Sequence, residues 1–352
     1  MKSLDRRKFI TTTFRALLTS SMPALASVGA RNAHAQSADL ASLAKEASKA
    51  GRVIWYDSSP TEHIAGIIAV FNRAYPDVQV RHVRIDSNAI GARIIQETQA
   101  NAPTADIGIS TSDQVWTLSQ QKVLLGVNWG ALGVSVSLSP NANSEYLINV
   151  APFHVLLWNK RNVADDKVPN SWEEVLDPKW RGRVGTWVRP AAFVQLAKVW
   201  GEEKARDYLV KFTQQKPYLS PATVTMAQQV VAGEYDICIG VYNSAQPAIK
   251  AGAPLGLKVL NPTPISTLYS FIPKNSQNPA GGKLLAVWLS SLEGARTYED
   301  ATDRGNRLIP GTRTADLLAK RQIADFSPEE VPEVVRLTAE FTEILGRAGA
   351  AR

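Results

Sequence analysis

The stretch from Val53 to Phe71 contains a strand, a turn and a helix in immediate succession: VIWY at 53–56, the polar residues Asp57-Ser58-Ser59-Pro60-Thr61, and EHIAGIIAVF at 62–71. The first four residues are β-branched or aromatic and predict a buried strand, and the polar residues predict a tight turn. The isoleucines and Phe71 then recur at helical spacing. In open α/β sheets, small and often anionic ligands bind at loops between a strand end and a helix start, although most such loops bind nothing. The stretch therefore predicts a βα unit whose loop is a first candidate binding element.

The same alternation continues along the chain. Strands are expected at residues 53–56, 78–85 and 106–110, with helices at 61–75, 88–99 and 112–118, and this order is typical of a doubly wound parallel sheet. The pattern breaks at residues 126–143, a second α/β unit follows, and the tail predicts helices without strands. We therefore predict lobe 1 from residues 36–144 and 266–352, and lobe 2, with the crossing strands, from residues 145–265.

Residues 1–35 have the features of an export signal. A basic head precedes an apolar stretch, and Ala33-His34-Ala35 forms a small-residue cleavage site. The sequence Asp5-Arg6-Arg7-Lys8-Phe9-Ile10 resembles a twin-arginine leader, although Asp5 stands where such leaders usually have Ser or Thr. We expect a signal peptide of the twin-arginine type and export of the mature chain.

Composition limits the class of protein. The 352 residues suffice for two domains, and 45% are hydrophobic. Without the leader's six basic residues and one acidic residue, 33 basic residues remain against 31 acidic ones, and their signs are interspersed. A nucleic-acid surface would need clustered basic residues, so that class is excluded. Cys238 is the only cysteine in the sequence, which excludes an intramolecular disulfide.

One segment identifies a family. The run from Ser171 to Val184, SWEEVLDPKWRGRV, preceded by LWNK at 157–160, resembles the entry to the second lobe in ferric-iron-type substrate-binding proteins of ABC transporters. GEYDI at 233–237 and the segment from Asn278 to Tyr298 match two further stretches of that family. The resemblance implies a type II periplasmic binding protein. Such a protein has two α/β lobes joined by two crossing strands, works as a monomer in the periplasm without a cofactor, and passes its ligand to a membrane permease.

The candidate ligand-binding residues lie at the carboxyl ends of the predicted strands in both lobes. Hydroxyl groups and free N–H groups at helix starts bind oxyanions, although the Ser and Thr residues could equally serve as helix caps. Arginine adds the charge and the two-pronged geometry that suit a carboxylate or phosphate. The first lobe contributes Asp57, Ser58, Ser59, Thr61, Ser110, Thr111 and Ser112, and the second contributes Arg189, Thr223, Thr225, Tyr242 and Asn243. A small anion, such as a carboxylate, phosphate ester or phosphonate, is the expected ligand, with Arg189 as its charged partner.

Two alternatives remain open. Iron-binding relatives hold Fe³⁺ with paired tyrosines, and the matching position here is Tyr242-Asn243, so only one phenolate is available. A trivalent cation prefers several anionic oxygens, which makes a ferric-iron protein with Tyr242 as ligand the second hypothesis. A secreted enzyme is the remote third, because the sequence has no nucleophile elbow, glycine-rich phosphate loop or histidine cluster.

Overall fold

The computed structural model describes residues 39–350, so the predicted leader, residues 1–35, lies outside the described residues. Two five-stranded sheets and one two-stranded sheet organise this part of the chain. The strands are β1 (Val53–Asp57), β2 (Val80–Arg84), β3 (Ile107–Thr111), β4 (Tyr146–Val150), β5 (His154–Asn159), β6 (Val184–Trp187), β7 (Tyr218–Ser220), β8 (Ile237–Val241), β9 (Leu255–Lys258), β10 (Thr263–Pro264), β11 (Leu268–Phe271) and β12 (Ile323–Ala324).

Helices cover both five-stranded sheets. They are α1 (residues 39–49), α2 (Thr61–Ala74), α3 (Ser87–Gln99), α4 (Ser112–Gln120), α5 (Trp172–Val175), α6 (Ala191–Trp200), α7 (Glu202–Gln214), α8 (Thr223–Ala232), α9 (Tyr242–Lys250), α10 (Pro279–Leu289), α11 (Leu292–Thr302), α12 (Arg313–Leu318) and α13 (Val331–Ala350). Within residues 39–350, no helix combines the length and the apolar character needed to cross a membrane.

Each large sheet is mixed rather than purely parallel. The first has the order β2-β1-β3-β11-β4, and β11 is antiparallel to both neighbours. The second has the order β7-β6-β8-β5-β9, and β5 is antiparallel to both neighbours. The antiparallel strands are those that enter a sheet directly from the other lobe, without a crossover helix. The predicted two-lobed α/β fold is confirmed, whereas a fully parallel arrangement within each lobe is not what the structure has.

Two crossing segments join the lobes. The apolar run at 146–158, which Pro152 interrupts, is divided into β4 of the first sheet and β5 of the second. Pro152 has no backbone N–H, so a central strand could not continue through it. The return segment between β10 and β11 lies beside the first crossing, where Ser266 N donates to Pro152 O at 2.8 Å and Phe153 forms an isolated bridge with Ile265.

The tail divides between the two lobes. Helices α10 and α11 contribute to the core of the first lobe, in which Trp288 and Tyr298 are buried. Helix α13 instead buries Leu337, Phe341 and Leu345 in the core of the second lobe, beside α6 and α7. This placement differs from our assignment of residues 266–352 to lobe 1. An amphipathic helix binds whichever lobe offers an unfilled apolar face, and its own periodicity does not say which lobe that is.

Candidate functional site

A cleft of about 180 Å³ lies where the two lobes meet. Strand ends and helix starts of both lobes form it, which is the usual ligand position in open α/β sheets. Pro152, His154 and Ser266 of the crossing segments form its base. The remaining lining residues are Ser58, Ser87, Leu268 and Arg304 from the first lobe and Trp187, Thr223, Val241, Asn243 and Ser244 from the second.

Two helices begin at the second-lobe wall without a side-chain cap. Neither Ala222 before α8 nor Val241 before α9 supplies a capping hydrogen bond. The hydroxyl groups of Thr223 and Ser244, in the first turns of these helices, lie 2.8 Å apart and both line the cleft. At α9 the N–H of Tyr242 already donates to the Phe153 carbonyl at 3.0 Å. The other first N–H groups of the two helices have no partner inside their helix and carry a partial positive charge, so this wall favours an anion.

Arg304 places a positive charge at the first-lobe wall. Its Nη1 donates to Ser59 Oγ at 3.4 Å, and Ser59 Oγ lies 3.3 Å from the hydroxyl oxygen of Tyr298. The Asp57 carboxylate accepts from Ser59 N at 2.6 Å and from the Tyr298 hydroxyl at 3.1 Å. Burial and the neighbouring Asp57 raise the pKa of Tyr298 well above its usual value, which keeps the hydroxyl protonated as a donor. Asp57, Ser59 and Tyr298 thus form a buried support behind Arg304.

His154 contributes a neutral side chain to the base of the cleft. Burial lowers the pKa of His154 to about 4, and a hydrogen bond to the Gly240 backbone opposes this only in part. The imidazole is therefore uncharged near neutral pH. Among the lining residues, all of which lie within the described part of the chain, Arg304 is then the only charged side chain.

The structure brings three of the predicted site residues, Ser58, Thr223 and Asn243, into the lining of the cleft. The other predicted first-lobe residues do not line it. Asp57 and Ser59 lie behind Arg304, and Ser110 uses its hydroxyl on the Ser87 carbonyl at 2.8 Å. Thr61 is exposed, and Thr111 and Ser112 are half-buried at the start of α4.

The remaining predicted second-lobe residues also lie outside the lining. Arg189 is exposed and stacks its guanidinium group over Trp187, 5.2 Å from the ring centroid. Thr225 is half-buried in α8. Tyr242 is the first residue of α9, and its buried ring stacks on Phe153 with centroids 4.6 Å apart. Burial raises the pKa of Tyr242, which disfavours the phenolate that a ferric ion would need.

Sequence reasoning missed several residues of the cleft. Ser87 follows β2 as Ser58 follows β1, so the strand-end rule could have found it. Arg304 follows a helix rather than a strand, and no sequence signal marks it. No group of three His, Cys, Asp or Glu side chains in residues 39–350 is arranged to hold a metal ion. A larger concavity, of about 480 Å³, lies on the outer face of the second lobe around Trp200, away from the strand ends.

Comparisons with known proteins agree with this architecture. The profile of the family described as "Bacterial extracellular solute-binding protein" matches residues 66–322. A search of curated proteins gave no significant match.

Three solved structures are similar in fold. Iron-bound HitA from Pseudomonas aeruginosa has a TM-score of 0.68 at 17% identity, over 82% of this chain and 99% of that one. The substrate-binding protein of the ABC transporter from Agrobacterium tumefaciens has a TM-score of 0.67 at 17% identity, over 85% and 96% of the two chains. AfuA from Actinobacillus pleuropneumoniae, with exogenous fructose-6-phosphate bound, has a TM-score of 0.64 at 21% identity, over 84% and 99%. The structural likeness establishes the fold, and the family profile matches well over half of the sequence: the chain belongs to the bacterial extracellular solute-binding proteins.

Proposed function

We propose that this solute-binding protein captures a small organic or inorganic anion in the cleft between its lobes and delivers it to the membrane permease of an ABC importer. A carboxylate, a phosphate ester and a phosphonate are the candidate ligand classes. The leader-like residues 1–35 support action in the periplasm, and the two crossing segments allow the lobes to close on a ligand by hinge motion. We further propose that the protein works as a monomer and catalyses no reaction.

One observation carries the choice of an anion. Arg304 is the only charged side chain in the cleft lining, and it lies across from two uncapped helix starts. A cation in this cleft would lose its hydration water and meet a guanidinium group, N–H groups and only neutral acceptor oxygens, such as Asn243 Oδ1. We assign direct ligand contacts to Arg304, Ser58, Ser87, Thr223, Asn243 and Ser244.

Ferric iron is the competing ligand, and the similarity to iron-bound HitA keeps it in the comparison. Asn243 stands where a second tyrosine would be needed, and the ring of Tyr242 is stacked on Phe153. We expect the purified protein to be colourless and to gain no phenolate-to-iron absorption band when ferric citrate is added. A strong band that Tyr242→Phe abolishes would make iron the better hypothesis.

A thermal-shift screen tests the proposal directly. The mature chain is melted alone and with inorganic phosphate, alkylphosphonates, hexose phosphates, citrate, ferric citrate or putrescine, because a ligand that binds only the folded state raises the melting temperature. Stabilisation by at least one iron-free anion, which is then recovered unchanged, is the expected result. Stabilisation by putrescine alone would contradict the anion proposal, and chemical conversion of the bound compound would indicate an enzyme.

A further inference from the structure

The cleft lining contains both polar and apolar side chains. The polar ones are Arg304, Asn243, His154 and the serine and threonine residues, and the apolar ones are Trp187, Leu268, Val241 and Pro152. An inorganic oxyanion would need only the polar groups, whereas a ligand site that combines a few orienting polar groups with apolar surface suits an organic molecule.

Trp187 is the largest apolar side chain in the lining of the cleft. It is the last residue of β6, and its indole N–H donates to the Pro221 carbonyl at 3.3 Å. The Arg189 guanidinium group lies over its ring, and Arg189 itself does not line the cleft. The indole is only half-buried, so it keeps apolar surface to offer to a ligand.

The size of the cleft limits the ligand. Its volume of about 180 Å³ is below the roughly 300 to 1,000 Å³ of pockets for drug-sized molecules. It is nevertheless several times the roughly 30 Å³ share of one water molecule in the liquid. A small anionic group with a short carbon framework meets both limits.

We propose that Trp187 determines specificity by packing against the carbon framework of an organic anion, so that the protein selects such an anion over inorganic phosphate. The inference rests on the proposed anion-binding function. The anionic group binds at Arg304 and the helix starts, and the carbon framework lies along the indole. Arg189 supports the indole from outside the cleft rather than binding the anion.

The test compares inorganic phosphate with methyl-, ethyl- and propylphosphonate, which share one kind of head group. Titration calorimetry on the mature protein should give an affinity that rises about fourfold for each carbon buried against the indole. In Trp187→Ala the gain should fall below about twofold per carbon, while the affinity for phosphate stays the same. Trp187→Leu, which keeps an apolar side chain, should retain part of the gain and guards against misfolding of the alanine variant.

Trp200 offers a matched control. Like Trp187, it is half-buried and has a cation over its ring, here the Lys204 ammonium group 5.0 Å from the ring centroid. Unlike Trp187, it lies on the outer face of the second lobe. Trp200→Ala should leave the gain per carbon as in the wild type. The specificity role of Trp187 alone would be overturned if wild type and both Trp187 variants gained the same affinity per carbon. It would also be overturned if wild type bound phosphate as tightly as propylphosphonate. A wild-type protein that bound none of the four anions, nor any other anion in the screen, would overturn the proposed function together with this inference.

Discussion

Replacing Arg304 should weaken anion binding far more than replacing Arg189. Arg304 lines the cleft, whereas Arg189 is exposed and stacked on the outside of Trp187. The two substitutions Arg304→Gln and Arg189→Gln remove the same charge and leave the same polar side chain. Comparing the two variants therefore shows whether binding depends on where the positive charge lies or only on the total charge of the protein.

The magnitude follows from the geometry of the cleft. A hydrogen bond to a charged group contributes about 1.5 to 3 kcal/mol, so Arg304→Gln should raise the dissociation constant about tenfold to more than a hundredfold. Arg304→Lys should recover only part of this, because the planar fork that matches an oxyanion is lost. An exposed charge outside the cleft is screened by salt, so Arg189→Gln should change the constant by less than about threefold.

Titration calorimetry with propylphosphonate, or with the tightest anion of the screen, measures both effects. Melting of the unliganded variants controls for folding. Among the described residues, the Arg304 guanidinium group makes one hydrogen bond, to Ser59 Oγ at 3.4 Å, so its loss should change the melting temperature little. If Arg189→Gln abolished binding while Arg304→Gln bound like wild type, the charge in the cleft would have been assigned to the wrong residue. Arg189, the arginine that the sequence pattern favours, would then be the anion's partner.

Three further substitutions probe buried charge and lobe closure. Burial raises the pKa of Asp325 to about 6, so the free energy of unfolding should fall by up to about 3 kcal/mol as pH rises from 4 to 6. In melts at a series of pH values, Asp325→Asn should become more stable relative to wild type across that range. Burial lowers the pKa of His154 to about 4, so the free energy of unfolding should fall by up to about 3 kcal/mol as pH drops from 6.5 to 4. In acid unfolding titrations, His154→Gln should not show this decrease. Lys250→Gln breaks the ion pair with Asp303 between the lobes and should enlarge the radius of gyration in X-ray scattering. Arg206→Gln, which breaks the ion pair with Glu340 within the second lobe, should leave the radius of gyration unchanged.

The alternating elements could be predicted because their signals are local. The strand at 53–56 and the helix at 61–75 are defined by consecutive apolar residues and by helical spacing, and the structure has β1 at Val53–Asp57 and α2 at Thr61–Ala74. The sequence shows that Pro152 interrupts an apolar run, but it does not show that the boundary between the lobes lies there. Which sheet a strand enters depends on partners far away in the sequence, and periodicity carries no information about them.

Helix α9 and helix α13 show two other limits. Proline disfavours a helix interior, yet α9 begins at Tyr242 and includes Pro247. Its buried face, which includes Tyr242 and Ala245, packs into the second lobe and outweighs weak local propensity. Helix α13 was correctly expected as a helix, but its lobe depended on complementary surface around Phe193 and Phe212.

The site was predictable where strand ends define it and unpredictable where the tail returns to it. Ser58, Thr223 and Asn243 follow β1, β7 and β8 along the chain, and the rule that ligands bind at strand ends finds them. Arg304 comes from the segment after α11, far from any strand in the sequence. The packing of α11 against α2 helps to bring it to the cleft.

The segment Asp303–Asn306 explains why ligand charge and lobe closure should be linked. Arg304 lines the cleft, the Gly305 carbonyl accepts from Ala151 N of a crossing segment at 2.8 Å, and Asp303 binds Lys250 at 2.8 Å. Lys250 ends α9, a helix of nine residues and about 13 Å whose first turn lines the opposite wall. One segment therefore holds both the anion's charged partner and the far end of the helix that faces the anion. Because the anion binds the closed form, Lys250→Gln should weaken anion binding by the factor by which it lowers the fraction of closed protein, although Lys250 itself does not line the cleft.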